Sequence, residues 1–424
     1  MRVGRRGGAS LAVVIVLVML GLGTAACGAG PSGPPTGSQI RTVLARHAEA
    51  LRAGASARFL ADVDTARADA RFRSRQAALI TNIAGVPLAS WTYTLAAPVT
   101  DPGVARAAAR RYGAPATVVR VTLAFELAGV DTVPDRQDLW WTFVRRDGRV
   151  LLAGDDDMAQ AGGVSWRDPW DFGPVVVARG VHSLVLGHIE NALHLTAFAD
   201  AVDAALPVVR SVWGADTPYA VAVYAPASQA EFAALTGDAA GADADAEAIT
   251  AGIDPRTARP YGQRVVLAPA ADAALSGTGA EIVAAHEITH LATAAITAPG
   301  MARWVVEGVA EYVAELGADE PVSVAAAELR AEVRAGRVPA ELPSDAAFAA
   351  GAAGQAQAYE QAWLACRMIA AMVGNDGLVR FYRVAGAPDE PAGIAVAHAL
   401  QQVVHLSPQQ FTERWQAYLR SQLT

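Results

Sequence analysis

Two histidines flank a glutamate in "AAHEITHLATAAITAPGMARWVVEGVAEYVAEL", the stretch from Ala284 to Leu316. His286, Glu287 and His290 form the pattern H-E-x-x-H. Positions i and i+4 of a helix share one face, so both imidazoles can reach one metal ion. Glu287 lies about 100° further round the helix, where it can act on a water beside the metal without ligating. Three fixed residues over five positions recur by chance, so a second signal is needed. "WVVEGVAEY" (Trp304 to Tyr312) supplies it. A catalytic zinc site wants three protein ligands and an open position. Glu307 follows His290 by 17 residues, with room for a turn at Ala298 to Gly300 and a returning helix. On that helix Val305, Val309, Tyr312 and Leu316 form an apolar stripe, and Trp304, Glu307 and Glu311 form another. Glu307 can face the metal. Glu311, one turn on, can accept a hydrogen bond from a ligating histidine and orient it.

The elements that must hold these residues are partly legible. Thr278 and Glu281, behind Gly277, fit an S/T-x-x-E capping box at the start of the histidine helix. Ala284, Ile288, Leu291 and Ala295 make an apolar stripe opposite the histidines. "QRVVLAPA" (Gln263 to Ala270) reads as a short strand just before the motif. H-E-x-x-H followed by E-G-x-A-E on a second helix resembles the gluzincin zinc metallopeptidases, sharply over Glu281 to Leu316 and loosely over Val175 to Leu423. The resemblance implies one zinc ion per chain, with His286, His290 and Glu307 as ligands and Glu287 as general base in peptide hydrolysis. It implies that the strand Gln263 to Pro269 lines the cleft and pairs with extended substrate. It also implies a downstream tyrosine or histidine as oxyanion donor, for which Tyr359 is the candidate. Tyr359 also belongs to a helical apolar stripe with Trp363, Cys366 and Ala370, which is the core reading of the same residue. His398 and His405 are weaker candidates, and His182, His188 and His194 read simply as strand and helix residues.

Residues 39–160 read as a separate small α+β domain. Helical periodicity runs over Ile40 to Gly54 and near Phe72 to Ile80. Strands follow at Ser90 to Ala96, Thr117 to Leu127, Leu139 to Arg145 and Arg149 to Leu152, the last two flanking the tight-turn pair Asp147-Gly148. Helices followed by an antiparallel sheet resemble the NTF2-like (cystatin-like) fold. His47, in the first helix, reads as a surface residue. "GGVSWRDPWDFGP" (Gly162 to Pro174) marks the boundary. From residue 175 to 424 the expected architecture is zincin-like: a mixed sheet, the motif helix, then a helical C-terminal part, α+β overall. The segment Ala233 to Thr250, with four carboxylates, fits no EF-hand spacing and reads as a solvated loop.

The first 26 residues have the form of an export signal: Arg2, Arg5 and Arg6, an apolar run from Leu11 to Gly23, then small residues. Cys27 stands where a bacterial lipobox places its lipidated cysteine, although Thr24 replaces the usual leucine. Residues 27–38 read as a flexible tether. The expectation is an exported protein held at the outer face of the cell membrane by a lipid anchor, acting on a peptide or protein substrate in the envelope. The net charge of -8 becomes -11 without the three leader arginines, which disfavours nucleic acid as a partner. Two cysteines exclude a disulfide framework, and Cys366 reads as a buried thiol. The rival to the enzyme is a zinc-containing envelope binding or adaptor lipoprotein without useful activity. Glu287 favours the enzyme, since a structural zinc site has no need of that carboxylate.

Overall fold

Apolar residues at Ile40, Val43, Leu44 and Leu51 give the first helix one buried face, and that face decides where it sits. The computed structural model describes residues 33–237, 246–269, 277–318, 320–387 and 389–424. The export segment, Cys27 and residues 238–245 of the acidic stretch lie outside them. Helices α1 (Gly37–Arg52), α2 (Ser56–Leu60) and α3 (Ala70–Asn82) precede an antiparallel meander, β1 (Leu88–Pro98), β2 (Ala116–Leu127), β3 (Asp135–Arg146) and β4 (Arg149–Gly154). A helix that the sequence pattern did not announce, α4 (Pro102–Tyr112), joins β1 to β2. Asp147 and Gly148 both take positive φ, as a tight hairpin between β3 and β4 requires. The last residues of the expected tether are held rather than free: Arg145 Nε donates to the Gly33 carbonyl at 2.6 Å and the Thr117 hydroxyl to that of Pro35 at 2.8 Å.

Beyond residue 175 a second, mixed sheet forms from β5 (Val176–Arg179), β6 (Ser183–Gly187), β7 (Val221–Tyr224), β8 (Ala246–Ile253) and β9 (Pro260–Leu267), in the order β5-β6-β7-β9-β8. β6, β7 and β9 run parallel, and β8 folds back antiparallel on β9. Helix α5 (Ala192–Trp213) links β6 to β7, and α6 (Gln229–Thr236) follows β7. After the sheet come α7 (Thr278–Thr293), α8 (Arg303–Gly317), α9 (Val322–Ala325), α10 (Ala327–Arg334), α11 (Gln355–Ala385), α12 (Ala392–Ala399) and α13 (Pro408–Leu423). α5 is long and apolar enough to cross a membrane, but here it packs in the core between the sheet and the later helices.

The strands of the second sheet are apolar on both faces, and each face has its own core. Val185, Val223, Val265 and Leu267 pack with α5, α7, α8 and α11. The alternate residues Leu184, Leu186, Tyr224 and Val266 share a core with Ile40, Trp91, Phe125 and Trp170 of the N-terminal unit. That unit therefore covers the back of the second sheet. The segment between the sheets is part of the packing: Trp170 is buried and its carbonyl accepts from Asn82 Nδ2 at 2.8 Å.

His47 is not on the surface. It falls on the apolar face of α1, is 1% exposed and stacks on Phe59 with ring centroids 3.7 Å apart. Burial pushes its pKa down to about 4, with Asp62 opposing. The folded chain thus holds His47 neutral, while the unfolded chain protonates it below its ordinary pKa of about 6.5. Its contribution is full above pH 6.5 and is lost as the pH falls towards 4, by roughly 3 kcal/mol. The expected result is that His47→Phe flattens the fall in unfolding midpoint between these pH values, read from urea melts at pH 7 and pH 4.5.

Candidate metal centre

α7 begins at Gly277, whose φ of 55° sets the turn into the helix. The anticipated capping box does not form, because Thr278 is already inside the helix and the Glu281 amide bonds the Gly277 carbonyl at 3.2 Å. Ala284, Ile288 and Leu291 anchor the far side of α7 in the core. Ala295, expected to extend that stripe, lies past the helix end and is exposed. The opposite side carries His286 and His290.

The turn through Gly300 returns the chain into α8. Gly308 lets α8 approach α11 closely: a Cβ there would lie 2.5 Å from the Ala362 carbonyl oxygen and 2.9 Å from Cys366 Sγ. Trp304, one turn earlier on the same face, packs near Phe381 of α11 and Phe411 of α13. Leu316, read as the last member of an apolar stripe, is instead exposed. The packing of α8 against α7 brings Glu307, 17 residues after His290 and 21 after His286, onto the two histidines.

Nε2 of His286 and Nε2 of His290 are 3.0 Å apart, and each lies 3.4 Å from Glu307 Oε2. Among the described residues these three form the one cluster of histidine, cysteine and carboxylate groups with metal-ligand geometry. Ligand bonds of about 2.0–2.1 Å at tetrahedral angles separate ligand atoms by about 3.3–3.4 Å, so the triangle fits a zinc-sized ion. Two imidazoles and one carboxylate also suit a borderline cation of that kind. His286 Nδ1 lies 3.3 Å from Glu311 Oε1, which fixes the ring and leaves Nε2 facing the centre. Arg303 Nη2 donates to Glu307 Oε1 at 3.1 Å, holding the outer carboxylate oxygen so that Oε2 faces the histidines. Arg303 was not singled out in the sequence, although its i−4 spacing from Glu307 was a usable signal.

The charges are strongly coupled. Burial opposes the charged form of His286, but Glu311 and Glu307 outweigh it and hold its pKa well above the ordinary value. Burial would also raise Glu307, yet His286 and His290 keep it well below the usual carboxylate range. Glu287, 7% exposed, is the exception. Burial wins and raises its pKa, with the two histidines and the Ala248 backbone opposing.

The centre opens into a cleft of about 840 Å³. Its walls include Ile282 and Val283 of α7, Arg303 and Val306 of α8, Phe348, and Tyr359 of α11. The strand bordering it is β8, through Ala246, Ala248 and Thr250, and not the expected Gln263–Pro269. β9 lies between β7 and β8, so it has a partner on each side, whereas β8 is one of the two outermost strands among the described residues, with β5 at the far edge. The expected loop over Ala233 to Thr250 thus begins in the last turn of α6 and ends in an edge strand.

Tyr359 leaves its stripe at the cleft. Trp363, Cys366 and Ala370 are buried in the core, but Tyr359 is half-buried on the cleft wall, with its ring 6.4 Å from that of His286 and edge-on to Phe348. Burial, then the Glu307 charge, raises its pKa, so the phenol keeps its proton. The other histidines lie elsewhere. His188 forms a buried pair with Glu231 at 2.8 Å, His398 pairs with Glu390 on the surface, and His405 ends a short helical turn with positive φ. No protein-family model matches this chain, and no curated protein matches it in sequence.

Proposed function

We propose that this chain is an exported, zinc-dependent peptidase of the gluzincin type. The observation that carries the reading is the His286–His290–Glu307 triangle, with the buried carboxylate of Glu287 on the same helix and a sheet-edge strand along the same cleft. His286, His290 and Glu307 would hold one zinc ion, which when bound makes water acidic near neutral pH and polarises a carbonyl. Glu287 takes the proton of the attacking water and passes it to the leaving amine. Its raised pKa suits a group that must both accept and release a proton. Glu311 and Arg303 act one step back, orienting His286 and Glu307. The outer edge of β8, where the Ala248 backbone meets Glu287, would take an extended peptide by adding a strand to the sheet.

Tyr359 would donate its hydroxyl to the developing oxyanion. Tyr359→Phe is then expected to lower kcat about a hundredfold while leaving KM and bound zinc in place. Steady-state kinetics with metal analysis checks this, and an unchanged kcat returns Tyr359 to a packing role. The leader and Cys27 support a lipid-anchored protein facing the extracytoplasmic space. The order of helices and meander supports an NTF2-like reading of the N-terminal unit. The test of the whole reading is a peptide-library digest by the zinc-loaded chain. Cleavage at defined bonds is the expected result, and none across a broad library would leave the zinc-containing adaptor.

A further inference from the structure

Arg264 lies on β9, is 1% exposed, and reaches away from the cleft into the N-terminal unit. Its Nη1 and Nη2 donate to the two carboxylate oxygens of Asp131 at 2.7 and 2.9 Å. Nη2 also reaches Asp135 at 3.4 Å, and Nε donates to the Tyr224 hydroxyl at 3.0 Å. Asp131 is itself fixed by the Leu127 amide, and Asp135 by Gln137. The contact continues along the β8–β9 hairpin. Gly262, at φ +61°, passes so close to Asp135 that a Cβ would lie 2.5 Å from Oδ1. Arg136 stacks over Tyr261 at 5.2 Å and lies 4.0 Å from Asp254 in the hairpin turn. On the opposite face of β9, Gln263 Nε2 donates to the carbonyl of Leu291, the residue after His290. Adjacent residues of one strand thus tie the N-terminal unit to the metal-site helix.

We propose that Arg264 is a positioning residue through which the N-terminal unit sets the place and register of β8, the cleft edge; its consequence for peptide binding rests on the peptidase reading. β8 reads "AEAITAGI", and such a small-residue strand specifies its own register weakly. A one-residue slip would exchange the faces of every side chain. The buried guanidinium pins β9 itself, since a slip of β9 would leave Arg264 and its carboxylates unpaired, and β8 takes its register from β9 through the short hairpin turn that Arg136 meets at Tyr261 and Asp254. Buried ion pairs are poor sources of net stability compared with apolar packing, and fixing a register is their best-attested use. Arg264 pairs opposite Ile249, in the middle of the β8 segment that borders the cleft.

The test is hydrogen exchange on the full-length zinc-loaded chain, comparing wild type, Asp131→Asn, and the apolar triple variant Arg264→Met, Asp131→Leu, Asp135→Leu. The triple variant replaces the cluster by residues able to pack, so it stays folded if the role is register and not stability. Amides of Ala246–Ile253 are expected to exchange about tenfold faster or more, while those of α7 and the zinc content stay at wild-type levels. On a cleaved peptide, KM is expected to rise about fivefold or more with kcat retained. Selective loss of β8 protection in either variant carries the proposal. Protection that is unchanged in both, or lost together in β8 and α7 in both, overturns it. Exchange is read without turnover, so a wild type that cleaves nothing sinks the peptidase reading and leaves this result to be judged alone.

Discussion

Glu287→Gln is expected to remove peptide hydrolysis while one zinc ion per chain stays bound. Glu287 shares the motif helix and the cleft with the ligands but is not a member of the ligand triangle. The amide replaces the carboxylate with almost no change in volume, so packing beneath α7 is preserved. It cannot accept the proton of the attacking water, and loss of a general base typically costs about 10²–10⁴-fold. The check is a peptide-library digest by wild type and variant, each with its zinc content measured. Cleavage that vanishes in the zinc-replete variant supports the role. Equal cleavage by both variants means that the base lies elsewhere.

The motif was legible because its geometry is local. An i, i+4 pair on a helix and a third ligand on a returning helix follow from the helical period, and the observed triangle needs only that α8 pack back against α7. Glu311 was legible for the same reason, one turn from Glu307. The cleft edge was not. "AEAITAGI" contains so much alanine and glycine that strand alternation is hidden, and which strand is outermost depends on pairing that no single segment records. The burial of His47 and Arg264 is illegible in the sequence for a related reason. Each is polar in sequence, and each is buried by partners contributed from elsewhere: Phe59 and Trp141 for one, Asp131 and Asp135 for the other. Tyr359 sits between these cases. Its stripe was legible, but the point where that stripe leaves the core for the cleft is set by how α11 crosses α8.

Replacing a ligand should act on metal content in a graded way. Structural zinc binding of about 10–16 kcal/mol over four ligands implies roughly 3 kcal/mol per ligand, so His286→Ala, His290→Ala and Glu307→Ala should each weaken zinc by about a hundredfold or more. Glu311→Gln should cost less, about 10–100-fold, because it releases only the Nδ1 side of His286 and leaves all three donor atoms in place. Arg303→Gln should fall in the same lower band, since Glu307 Oε1 loses its partner while Oε2 still faces the histidines. The order matters more than any single value. A merely buried cluster of histidines and carboxylates would give five variants with altered stability and no ranking in zinc affinity. Competition titrations against a chelator of known affinity, on variants shown to be folded by their melting curves, read the ranking directly. If His286→Ala and His290→Ala retain stoichiometric zinc at wild-type affinity, the metal centre is not where these residues meet.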